Sequence, residues 1–142
     1  MSFVGSTDLV FHFNAKNGGF DVTEPIGLDP YESKTFTIPE YRFDIPVIGI
    51  GGFENYQYIS LRNWPTTIKY IYARGFYNSG IDVPENLYNV QSIDDSAFEH
   101  CLMDHWPKMP FINHIGSHAF SEIRSIAPLS IELPSTITSL GS

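Results

Sequence analysis

The sequence predicts a mainly β fold, a short solenoid of about four to five units of 22–23 residues headed by an N-terminal β-hairpin cap. Three observations carry that expectation. One phrase recurs, an aliphatic residue followed by small or polar residues and a tiny residue before Phe. It stands at Ile48-Gly49-Ile50-Gly51-Gly52-Phe53, Ile71-Tyr72-Ala73-Arg74-Gly75-Phe76, Ile93-Asp94-Asp95-Ser96-Ala97-Phe98 and Ile115-Gly116-Ser117-His118-Ala119-Phe120. The phenylalanines lie 23, 22 and 22 positions apart, and Leu140-Gly141-Ser142 opens a fifth copy. Upstream of each Phe stands a hydrophobic residue followed by proline: Ile38-Pro39, Trp64-Pro65, Val83-Pro84 and Trp106-Pro107, with Leu133-Pro134 beginning the next unit. A fixed period of this length marks one supersecondary unit stacked on itself.

Leu9-Val10-Phe11-His12-Phe13 alternates, with Leu9, Phe11 and Phe13 on one face, and reads as a strand. Asn17-Gly18-Gly19 is turn chemistry, and Phe20-Asp21-Val22-Thr23 is the returning strand of a hairpin. Residues 1–34 are read as a cap, or as an attachment segment, because a terminal unit must shield its apolar face from water. Residues 35–142 are then the solenoid, its last repeat incomplete.

Short strand-like pieces precede the prolines: Thr35-Phe36-Thr37-Ile38, Tyr58-Ile59-Ser60-Leu61, Ile81-Asp82-Val83 and Ser130-Ile131-Glu132-Leu133. Proline cannot donate to a ladder and biases its predecessor toward extended backbone, so each piece ends there. The segment before Trp106-Pro107 is irregular. Between proline and Phe sits an aliphatic pair three apart, Ile68 with Ile71, Val90 with Ile93, Ile112 with Ile115 and Ile137 with Leu140. That spacing suits a corner of a flattened coil. The Gly or Ala before each Phe fits a turn packed on its neighbour, and each Phe fills the space between coils. Truncating a buried one to Ala is expected to cost about 3–5 kcal/mol. Trp64 and Trp106 occupy equivalent positions, which suits packing.

Composition limits the function classes. The chain has 142 residues, 42% apolar and 15% aromatic, enough for one continuous core. A net charge of −8 with only 8 Lys and Arg disfavours nucleic acid and anionic membranes. Cys101 is the only cysteine, so no intrachain disulfide can form. The opening Met1 to Asp8 has neither a basic n-region nor an apolar h-region, so no signal peptide is expected there. An intracellular protein, a component of a particle released by lysis and a chain whose export signal has been removed all remain open.

The residues that suggest chemistry favour no enzyme, metal or cofactor. His100, Cys101, Asp104, His105, His114 and His118 cluster in sequence, and Cys101/His105 and His114/His118 are four apart as zinc ligands can be. That spacing converges only on a helix, and Pro107 and Pro110 interrupt this stretch. Cys101 also occupies a core repeat position, where a thiol acts as a small hydrophobe. No Gly-x-Ser-x-Gly elbow occurs, and Gly49-Ile50-Gly51-Gly52 lacks the Lys-Ser/Thr of a phosphate loop. Asp94 and Asp95, being adjacent, point to opposite sides of an extended segment. Binding residues are better supported. If Ile59 and Leu61 face the core, then Tyr58, Ser60 and Arg62 point outward, with Asp82 and Glu132 at corresponding positions of later units. They form either a recognition face or merely a solubilising one.

The repeat resembles the BspA-like leucine-rich repeats. Ile131-Glu132-Leu133-Pro134-Ser135-Thr136-Ile137-Thr138-Ser139-Leu140-Gly141-Ser142 and Val90-Gln91-Ser92-Ile93-Asp94-Asp95-Ser96-Ala97-Phe98-Glu99-His100-Cys101 carry the likeness. The family phrase runs apolar-x-apolar-Pro-x-x-apolar-x-x-Ile-Gly-x-x-Ala-Phe-x-x-Cys, and the resemblance covers Thr35 to Ser142. The Cys position holds Tyr56, Ser79, Cys101 and Ile123, so one copy keeps the sulfur. The Pro-to-Phe distance runs 14, 11, 14 and 13 residues, which makes the first and third units looser. The resemblance implies stacked short strands used in adhesion and in protein or glycan recognition, commonly at microbial surfaces, and it lends no catalytic residue.

Two functions are therefore expected. The first is a non-catalytic module that binds a protein or glycan partner through the sheet of stacked strands. The second is a structural subunit of a larger assembly such as a virion, in which another chain covers the open C-terminal edge around Ser130 to Gly141, since exposed edges invite pairing. A cell surface or a virion is the setting the resemblance favours.

Overall fold

The computed structural model describes residues 9–27, 29, 31–62, 64–81, 85–102, 107–124 and 139–140. In chain order the strands are β1 (Leu9–Asn14), β2 (Gly19–Pro25), β3 (Lys34–Thr37), β4 (Tyr41–Arg42), β5 (Ile45–Ile50), β6 (Ile59–Arg62), β7 (Tyr70–Ile71), β8 (Ser92–Ile93), β9 (His114–Ile115) and β10 (Ser139–Leu140). No helix forms among the described residues. One sheet runs β1-β2-β5-β7-β8-β9-β10, with β4 pairing β5 off that path, and β3 pairs β6 separately.

The expected hairpin forms. β1 and β2 are antiparallel, and the Gly18 and Asn17 amides both donate to the Asn14 carbonyl in the turn. A register shift between Val10 and Phe11 breaks the even alternation. Leu9 is consequently buried and Phe11 half-buried, while Phe13 is 55% exposed and lies edge-on to Phe20. The Arg42 guanidinium sits over the rings of Phe11, Phe20 and Phe43 at 4.5, 5.6 and 5.4 Å. It covers the outer aromatic face of the hairpin.

The hairpin is also the first rung of the solenoid. β2 pairs parallel with β5, setting Asp21 beside Gly49 and Val22 beside Ile50. Gly52 lies in the left-handed region at φ +87°, and a Cβ there would collide with the Thr23 carbonyl oxygen. Only glycine lets the first coil approach the cap this closely.

From β5 onward the rungs repeat. Gly49 and Ile50 pair with Tyr70 and Ile71, these with Ser92 and Ile93, these with His114 and Ile115, and these with Ser139 and Leu140. The ladder that continues through the described coils runs along the aliphatic corner, and the pre-proline pieces, where they form strands among the described residues, pair in a second sheet. The pre-proline piece is a strand in β3 and in β6, which pair in parallel from Lys34↔Ile59 to Thr37↔Arg62. Ile81 is buried but outside any strand, and Asp82, Val83 and Ser130 to Leu133 lie outside the described residues. At the corner three described coils in succession supply amides to the coil before them. Lys69 N–H donates to Ile48 O at 2.8 Å, Gln91 N–H to Lys69 O at 2.8 Å and Asn113 N–H to Gln91 O at 2.9 Å. A proline at the same place would delete one of these donors.

The interior is a column of aromatic rings. Phe53 and Phe76 stack with centroids 5.5 Å apart, Phe76 and Phe98 at 5.4 Å, and Phe98 and Phe120 at 5.4 Å, with interplanar angles of 4°, 5° and 15°. Trp64 leans on Phe76 at 6.0 Å, a packing role as expected; Trp106 lies outside the described residues. Each Phe amide bonds to the small residue one coil further on: Phe53 N–H to Gly75 O, Phe76 N–H to Ala97 O and Phe98 N–H to Ala119 O, at 2.7–2.8 Å. The turns that present these rings enter the left-handed region on both sides of Phe. Arg74, Ser96 and His118 do so two residues before it, and Asn55, Asn78, His100 and Glu122 two residues after it.

Candidate recognition surface

Tyr58 and Ser60 point away from the core as the alternation requires, with Tyr58 59% exposed and Ile59 between them buried. Ser60 pairs with Thr35 on β3, which is also exposed, so these residues share a polar patch two strands wide. Arg62 is aligned with Thr37, but its side chain is outside the described residues, as are Asp82 and Glu132. Of the five expected binding residues, Tyr58 and Ser60 are described with their side chains, and both lie on one exposed face, Tyr58 immediately before β6 and Ser60 within it.

A larger feature lies beside the corner ladder. Thr66, Thr67, Lys69, Asn89, Gln91, Phe111 and Asn113 line a concavity of about 520 Å³. Its walls follow from the repeat. Thr67, Asn89 and Phe111 are 22 apart and form one column, and Lys69, Gln91 and Asn113 form a second with the same spacing. Each column samples three successive coils because the buried partners Ile71, Ile93 and Ile115 fix the register from below. The residues of the second column also hold the coils together through their backbone bonds, so the floor of the concavity is part of the sheet.

Local hydrogen bonds fix the rim. Asn89 Nδ2 donates to Thr66 O at 2.6 Å, Thr66 Oγ1 to Glu40 Oε2 at 2.7 Å and Thr67 Oγ1 to Glu40 O at 3.3 Å. Phe111 stands at the far end, 58% exposed. Lys69 is exposed and has no ion-pair partner among the described residues. The sequence did contain this signal, since two columns of mostly polar residues repeat every 22 positions beside the aliphatic pairs. It was obscured because the members differ in type and only their position recurs.

Along the same sheet, Tyr72 reaches over Gly49 to donate its hydroxyl to Asp21 Oδ1 at 2.7 Å, and Asn14 Nδ2 donates to Asp21 Oδ2 at 3.0 Å. Burial, and then the Asp21 carboxylate, push the Tyr72 phenol well above its ordinary range. On the turn face, Arg74 binds Glu54 with two bonds of 3.0 and 2.9 Å and lies 3.8 Å over the Tyr77 ring. The arginine hydrogen bond holds the Glu54 carboxyl below its usual value.

The described members of the cysteine–histidine stretch lie in different settings. Cys101 is fully buried, its thiol donating to Phe76 O at 2.8 Å, and burial pushes its pKa up to about 12. A thiol so placed is neither a nucleophile nor an accessible ligand. His114 Nε2 lies 3.9 Å from Asp94 Oδ1, and His118 is exposed on its turn. Asp104 and His105 lie outside the described residues. No group of three His, Cys, Asp or Glu among the described residues is placed to hold a metal ion.

Comparison with known proteins agrees with this geometry. The family model for the BspA type leucine-rich repeat region matches residues 30–142 in six copies. A leucine-rich repeat protein from Bacteroides ovatus ATCC 8483 superposes with a TM-score of 0.61 at 21% identity. The match covers 99% of this chain and 37% of that one, so the likeness is one of fold, and the chain spans little more than a third of that protein's length. No curated protein matches the sequence. Ring column, parallel corner ladder and family match together show that the chain belongs to the BspA-type leucine-rich repeat family.

Proposed function

We propose that this chain is a non-catalytic recognition module, binding a protein or glycan ligand in an adhesive role at a cell surface. The observation that carries the reading is the concavity beside the corner ladder, where side chains of three coils converge on one space. Stacked repeats make extended contacts of this kind, since every coil adds a row of side chains in fixed register. Membership of a repeat family whose scaffold serves binding supports it. The burial of Cys101 removes the most reactive side chain from the surface.

The test is retention on an immobilised panel of glycans and extracellular proteins. A Lys69→Ala/Gln91→Ala variant reports on the concavity, and a Tyr58→Ala/Ser60→Ala variant on the β3–β6 patch. Specific retention by the wild-type chain that one of these variants loses, with its melting temperature unchanged, supports the module. Retention by neither class of ligand overturns it.

A further inference from the structure

We infer that the concavity is a site for a neutral, pyranose-containing oligosaccharide, seated with a sugar ring on Phe111 and its hydroxyls on Asn89, Gln91 and Asn113. The assignment rests on the recognition reading above and names the ligand class of that same space. Three properties of the walls lead to it.

The lining is built of amides and hydroxyls: Thr66, Thr67, Asn89, Gln91 and Asn113. A planar amide offers a donor and an acceptor side by side, which matches a pair of neighbouring sugar hydroxyls. Coils in a parallel ladder lie about 4.8 Å apart, so the columns from Lys69 to Asn113 and from Thr67 to Phe111 each span about 10 Å. That length accommodates consecutive rings of a glycan chain. The volume, about 520 Å³, falls within the range of small-ligand sites.

The single aromatic residue of the lining is placed as a platform. Phe111 leaves 58% of its surface in solvent at the end of the concavity, whereas the repeat phenylalanines Phe76 and Phe98 are fully buried in the core column. An aromatic face carries negative quadrupole density, which attracts the weakly positive C–H groups on the apolar face of a pyranose. A protein hot spot would instead call for a dry apolar centre with Arg or Trp anchors, and the lining contains neither residue.

Charge selects a neutral ligand. Lys69 is the one cation of the lining, and the Glu40 carboxylate is fixed on the same rim by Thr66. The chain as a whole carries −8. A phosphate or polyuronate would meet no cluster of positive charge here.

Saturation-transfer NMR with short cello-, malto- and manno-oligosaccharides tests the assignment, with polygalacturonate as the anionic control. Transfer to one neutral series is expected, strongest at ring C–H protons. Phe111→Ala should weaken that binding about ten-fold or more, and Gln91→Ala should also weaken it, while Tyr31→Ala, at an exposed ring outside the lining, leaves it intact. Phe111 is exposed, so an unchanged melting temperature will show that the variant is folded. Absence of transfer from every neutral series, preference for polygalacturonate, or affinity unchanged by Phe111→Ala overturns the assignment. If the glycans fail while an immobilised protein is still retained through the concavity, the recognition module stands and the sugar does not.

Discussion

The rings of Phe76 and Phe98 lie 5.4 Å apart with planes only 5° from parallel, although the residues are 22 positions apart in sequence. The coil repeat sets the separation of the two rings, which is slightly longer than the spacing of paired strands. Both are fully buried. Phe76→Ala and Phe98→Ala should each lower unfolding free energy by about 3–5 kcal/mol. Phe120→Ala should cost less, because that ring is only half-buried. Urea denaturation followed by circular dichroism measures the three, and equal losses would contradict the graded column.

The turns hold ordinary residues in a conformation that favours glycine. Ser96 and His118 have φ near +60°, which costs a residue with a Cβ about 1–2 kcal/mol. Ser96→Gly and His118→Gly relieve this cost, offset in part by the greater freedom of glycine in the unfolded chain. Each should therefore raise stability by up to about 1 kcal/mol. Gly52→Ala should do the opposite and destabilise strongly, because its Cβ has no space beside Thr23. Thermal melts of the three variants check the signs.

These turns also show why part of the fold was legible in the sequence and part was not. Phe53, Phe76, Phe98 and Phe120 announce the ring column because one bulky residue type recurs where only that volume fits. The hairpin is legible from Asn17-Gly18-Gly19, where the side-chain chemistry itself specifies a turn. Arg74 and Ser96 give no such signal. Their left-handed backbone is imposed by the next coil, as when Arg74 N–H bonds to Asp95 O and Ser96 N–H to Ser117 O. The ladder strands β7, β8 and β9 are two residues long, too short for alternation to register, so the longer pre-proline pieces drew the expectation of a sheet. The columns that line the concavity were hidden for a related reason: Thr67, Asn89 and Phe111 share a position and no chemistry.

Glu54 and Arg74 join successive turns through two hydrogen bonds, and both side chains are partly exposed. The carboxyl is held below its ordinary value in the folded chain. Its contribution is therefore present above the unfolded carboxylate value of about 4.3 and is lost as pH falls through the lowered folded value. Glu54→Gln should melt slightly below wild type at neutral pH, with the gap closing in acid and shrinking in high salt. A gap independent of both would show that the pair acts by shape alone.

Cys101 and Ser79 occupy the same place in successive coils, and both donate to a carbonyl of the preceding coil, Cys101 to Phe76 O and Ser79 to Tyr56 O. Cys101→Ser should therefore be tolerated better than Cys101→Ala, which leaves the site without a donor and with a small void. The thiol is pushed up to about 12 by burial, against about 8.5 when unfolded. Below the unfolded value its contribution is complete. As pH rises from there toward the folded value, the unfolded chain gives up the proton first and stability falls. Wild type should thus lose more stability than Cys101→Ser between neutral and strongly alkaline pH, the Tyr72 phenol contributing equally to both. In the native chain iodoacetamide should leave Cys101 unmodified at a pH of about 8 and alkylate it once urea unfolds the coils. Rapid labelling without denaturant would place this sulfur at the surface and break the equivalence with Ser79.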